Sequence, residues 1–89
     1  VSPKKAPYIE LERAYYEFVL ASGEPSDEES KRIIGVVKDA KVLLRKLGET
    51  GFKSYDELAE RPKNPSWPLV RQREWTFAAW LKNAGVFAR

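Results

Sequence analysis

Residues 26–48 read SDEESKRIIGVVKDAKVLLRKLG, and this stretch decides the fold. Ser26 opens it as a helix N-cap, its hydroxyl placed to accept from the amide three residues on, while Glu29 can reach back to the cap. Asp27, Glu28 and Glu29 crowd the first turn, and Arg45 and Lys46 occupy the last turn before Gly48. Charge at both ends therefore opposes the helix macrodipole. Between them Ile33, Val36, Val37, Ala40, Leu43, Leu44 and Leu47 recur at intervals of three and four, one continuous apolar stripe. The spacing predicts a helix from about Asp27 to Leu47.

On the N-terminal side, Tyr8, Leu11, Tyr15, Phe18 and Val19 keep the same period, with Glu10, Arg13 and Glu17 opposite. This first helix should stop near Ser22-Gly23, because glycine takes the left-handed C-terminal conformation and Pro25 cannot donate a backbone hydrogen bond. Residues 1–7, with two prolines and Lys4-Lys5, have no apolar period and read as a flexible lead-in to a single helical domain over residues 8–89. On the C-terminal side, Ser54-Tyr55-Asp56-Glu57 repeats the capping-box pattern and introduces a short third helix running to about Arg61, with Phe52 and Leu58 pinned to the core. Pro62, Pro65 and Pro68 then enforce a stiff connection whose Trp67 should pack inward. A fourth helix follows from about Pro68 to Asn83, ending at Gly85, with Val70, Phe77, Leu81 and Ala84 inward and Trp80 at the edge of that stripe. No alternating strand pattern of useful length appears. The expected fold is all-α, a compact bundle of about four helices.

The chain has 89 residues, 43% hydrophobic and 33% charged, with neither histidine nor cysteine. That removes thiol nucleophiles, imidazole bases, zinc fingers, iron–sulfur sites and disulfides together. The Ser2-x-x-Lys5 match lies in the lead-in, and the pairs Glu10/Glu17 and Asp56/Glu60 have the spacing of solvated helix faces. The glycines match neither the dinucleotide nor the phosphate-loop pattern, and Gly48-Glu49-Thr50-Gly51, formally a G-x-x-G, carries an acid that would repel phosphate. No enzymatic activity, cofactor, metal or small-molecule substrate is expected. The longest apolar runs, Phe18–Ala21 and Phe77–Leu81, are far too short to cross a bilayer, so no membrane partner is expected either.

Charge is distributed unevenly. Residues 1–30 hold three basic and seven acidic side chains, net −4, and residues 31–89 hold thirteen and six, net +7. On the second helix Lys31, Lys38, Lys41 and Arg45 fall along one side away from the apolar stripe, a basic ridge suited to an anionic partner. On the fourth, Arg71, Trp75 and Lys82 share a flank, with Arg73 nearby in sequence. A tryptophan there either packs on another element, such as Tyr16 or the proline connection, or stands exposed beside cations as an anchor for a base or a protein surface. The expected function is a small helical nucleic-acid-binding module, for DNA or RNA, using Lys31, Lys38, Lys41, Arg45, Arg71, Arg73, Trp75 and Lys82. The alternative is a helical protein-interaction module, adaptor or effector-like, in which an exposed Trp75 is the anchor and the charges steer. A helix-turn-helix variant would pair the third and fourth helices, across a connection longer than the usual three or four residues. Phe77-x-x-Trp80-Leu81 followed by Gly85 is loosely similar to a helical segment in the WY-type repeats of secreted oomycete effectors; the likeness spans nine residues and carries no function with it.

Overall fold

The computed structural model describes residues 6–48 and 51–87. Four helices follow one another: α1 (Ala6–Leu20), α2 (Asp27–Leu47), α3 (Gly51–Glu60) and α4 (Leu69–Asn83). No strand occurs among the described residues. The all-α bundle is the fold.

α2 has the predicted ends. Ser26 accepts from the Glu29 amide at 3.3 Å and donates its hydroxyl to the Glu29 carboxylate at 3.1 Å, and Gly48 closes the helix in the left-handed region at φ +72°. Its buried face is narrower than the apolar stripe: Ile33, Val37, Ala40 and Leu44 are buried, whereas Leu43 and Leu47 are exposed. α1 begins within the expected lead-in. Pro7 is fully buried in its first turn, where a missing N–H costs no helical hydrogen bond. Residues 1–5 of that lead-in lie outside the described residues. α1 ends in a Schellman turn, with Gly23 N–H on the Phe18 carbonyl and Ser22 N–H on the Val19 carbonyl. Ser22 itself takes the left-handed conformation (φ +56°) along with Gly23.

α3 departs from the expectation at its start. It begins at Gly51, so Ser54 lies inside the helix and not at its cap. Helical geometry from Gly51 aligns Phe52 with Tyr55 and Ala59 at offsets of three and seven, which puts Phe52 and Ala59 in the core. The connection after it is fastened to the start of α4. Asn64 Oδ1 accepts from the Ser66 amide, and Gln72 Nε2 donates to the carbonyls of Trp67 (2.9 Å) and Pro65 (3.3 Å). Trp67 is half-buried there.

Pro68 stands at the N-cap of α4, and the C-terminal turn repeats the Schellman pattern, with Val86 N–H on Leu81 O and Gly85 N–H on Lys82 O. Phe77, Ala78 and Leu81 are buried as the core face. Val70 and Ala84, expected inward, are exposed, Val70 by 61%. Val70 lies in the first turn of the helix and Ala84 at its C-cap, beyond the part its neighbours cover. α1 packs most extensively on α2, and α3 on α4. Phe77 is the hub between these pairs, with Phe18, Tyr55 and Tyr15 around it at ring-centre distances of 5.2, 5.5 and 5.6 Å. Both tyrosines meet it edge-on, an arrangement that adds to area burial.

Candidate functional site

The eight predicted site residues do not gather on one surface. Lys31, Lys38 and Arg45 are exposed on the outer side of α2, each seven residues from the next. Seven residues return to nearly the same helix angle, so the three form a line about 21 Å long. No ion pair or hydrogen bond engages any of their side chains among the described residues. Lys41 leaves the ridge. Its Nζ donates to the Val86 carbonyl and lies 5.4 Å from the centre of the Phe52 ring. Burial, then the neighbouring Arg45, lowers its pKa, with Asp56 acting the other way and Lys38 adding to the depression.

The α4 residues separate further. Trp75 is half-buried against Leu58, Ala59 and Ala78, and its indole N–H donates to the Arg61 carbonyl at 2.7 Å. It packs on the start of the proline connection and is not the exposed anchor of the protein-interaction expectation. Lys82 faces Glu60 on α3, 3.6 Å away. Arg73 lines a groove with Phe18, Val19 and Thr76 at the end of α1. Arg71 lines another, between α1, α3 and α4. Only Lys31, Lys38 and Arg45 keep the arrangement the sequence suggested.

That second groove gathers phenols and charged groups from three helices. Its volume is about 290 Å³, and Tyr8, Glu12 and Tyr15 of α1, Tyr55 of α3, and Arg71 and Glu74 of α4 line it. Burial pushes the Tyr55 phenol up to about 12, with the charges of Glu74 and Glu12 adding to the shift. Burial and then Glu74 raise Tyr15 as well. Both phenols therefore stay neutral at ordinary pH. Among the described residues, no group of three or more acidic side chains could hold a metal ion.

A surface absent from the sequence reading lies on α1. Ile9, Tyr16 and Leu20 are exposed by 48, 56 and 83%, at offsets of seven and four along one helix face. The sequence carries this signal, since the three fall opposite Leu11 and Phe18 on the helix. Glu17, on the flank of this face, is paired with Arg32 of α2, and Arg13 lies 3.9 Å from Glu10.

No protein-family model matches the chain, and neither a curated protein nor a solved structure was found similar to it. No helix among the described residues is long and apolar enough to cross a membrane.

Proposed function

We propose that this domain is a helical protein-interaction module that docks a partner on the outer face of α1. The observation that carries the reading is the aligned exposure of Ile9, Tyr16 and Leu20. Single exposed apolar side chains are ordinary on a surface, but three on one helix line, spanning about 16 Å, form a contiguous apolar strip with a polar margin. An aromatic ring within such a strip is the composition found at the centre of protein interfaces. The paired charges Glu10/Arg13 and Glu17/Arg32 border it and supply a rim.

A second reading, nucleic-acid binding, is favoured by the line of Lys31, Lys38 and Arg45. Three unpaired cations on one helix could neutralise phosphates, and such binding weakens steeply with salt. One experiment separates the two. The domain is titrated with labelled DNA and RNA at about 50 and about 200 mM salt, and in parallel used to capture proteins from a lysate. A partner protein retained at the higher salt and lost in a Tyr16→Ser/Leu20→Ser variant supports docking on α1. Salt-steep nucleic-acid binding, lost when Lys31, Lys38 and Arg45 are all changed to Ala, would replace that reading with the second.

A further inference from the structure

The groove between α1, α3 and α4 combines features that recur wherever proteins hold organic cations. Three tyrosines enter it, and two of them are fixed by edge-on packing against Phe77, at 5.6 Å for Tyr15 and 5.5 Å for Tyr55. Aromatic rings held in place attract a cation through their negative faces, without the cost of ordering them on binding. Two carboxylates, Glu12 and Glu74, share the groove with one guanidinium, Arg71, which leaves it net negative. No ion pair within 4.0 Å joins these three among the described residues, so both carboxylates remain open to a ligand. The Glu74 charge acts on both Tyr15 and Tyr55, and that of Glu12 on Tyr55, which puts the acids and the phenols within electrostatic reach of each other.

Size narrows the occupant. A volume of about 290 Å³ lies at the small end of ligand clefts and suits one side chain or one small amine. Chemistry narrows it further. An anion would meet Arg71 but also two carboxylates. A divalent metal needs several convergent oxygens, and the acids here form no such cluster. A diffuse organic cation satisfies the carboxylates and the rings at once.

We propose that this groove binds a single alkylammonium group through Glu12, Glu74 and the Tyr8, Tyr15 and Tyr55 rings. The group could come from a lysine side chain of a partner or from a free, methylated amine. The proposal does not depend on docking at the α1 outer face, because Ile9, Tyr16 and Leu20 take no part in the groove.

The test is an aromatic NMR titration of the whole chain with n-butylammonium, tetramethylammonium and a short lysine-containing peptide, against sodium chloride at matched ionic strength and sodium acetate. Saturable shifts of the Tyr15 and Tyr55 signals with an ammonium probe, and not with sodium chloride, are expected. Saturation by the peptide assigns the source to a partner side chain, and saturation by the free cations alone assigns it to a small amine; both support the site. Glu74→Gln should weaken binding about tenfold, the loss of one desolvated charge contact. Glu12→Gln, on the exposed side of α1, gives a second variant should the first perturb folding. Glu57→Gln, outside the groove, should leave binding unchanged. Shifts equal to those from sodium chloride, shifts induced by acetate in place of the cations, or unaltered affinity in both Gln variants would overturn the proposal.

Discussion

The Lys41 ammonium donates to the backbone carbonyl of Val86, forty-five residues away, while lying 5.4 Å from the centre of the Phe52 ring. One side chain of α2 thus joins the start of α3 to the turn that closes α4. The Val86 side chain is itself buried, so its carbonyl is held where Lys41 meets it. Lys41→Ala should cost about 1–2 kcal/mol, since a charged donor and an aromatic contact are lost together and the site is partly solvated. Lys38→Ala, exposed one turn earlier, should stay within about 0.5 kcal/mol. Urea denaturation of the two variants checks this. Equal losses would mean that the Val86 contact contributes nothing.

The same pair marks where the sequence could be read and where it could not. α2 was legible because cap, end charges and stripe are local and agree. The inward direction of α4 was legible at Phe77 and Leu81, yet a helical wheel gives direction and not coverage, so it could not show that Val70 and Ala84 project past their neighbours. The α3 start was obscured by a capping pattern at Ser54 that the burial of Phe52 overrides. Three of the candidate site residues turn to other elements for one reason in common. Lys41, Trp75 and Lys82 each find a partner on another element, namely Val86, Arg61 and Glu60, and no spacing within their own helix announces it. The tyrosine groove, drawn from three helices, was hidden in the same way.

Two glycines of α2 should respond in opposite directions to the same substitution. Gly35 is exposed in the helix interior, and an added Cβ there meets nothing within 4 Å. Gly35→Ala should stabilise by about 0.5–1 kcal/mol through helix propensity. Gly48 also has open space around it, but its φ of +72° is one that L side chains rarely adopt. Gly48→Ala should destabilise by about 1 kcal/mol. Thermal denaturation distinguishes them, and a shared sign would place the end of α2 elsewhere.

Burial along α2 and α4 makes a graded prediction. Leu44 is inaccessible to solvent, and Leu44→Ala should cost about 2–5 kcal/mol. Val42→Ala and Val70→Ala remove exposed side chains and should each cost less than about 1 kcal/mol. Denaturant midpoints at constant slope measure the series. A large cost at Val70 would show the first turn of α4 to be covered.

Alkaline pH should unfold the domain through Tyr55. Its phenol is pushed up to about 12, by burial first and then by the charges of Glu74, Tyr15 and Glu12, and Tyr15 is raised by burial and Glu74. In the unfolded chain a tyrosine loses its proton near pH 10. Between about pH 10 and 12 the folded state therefore holds protons that the unfolded state has released, and stability falls as pH rises; below about pH 10 the contribution is fully present. Lys41 acts in the opposite sense. Its lowered pKa means that the unfolded chain holds the extra proton just below about pH 10.5, so stability gains slightly across that window. The net expectation is a shallow rise or plateau approaching pH 10.5, followed by a loss. Tyr55→Phe keeps the ring against Phe77 and removes the titrating group, so its denaturation midpoints should fall less above pH 10 than those of the parent. Near-ultraviolet absorbance of the parent should show one tyrosinate appearing only near pH 12 or on unfolding. An identical alkaline loss in Tyr55→Phe would assign the transition to another group.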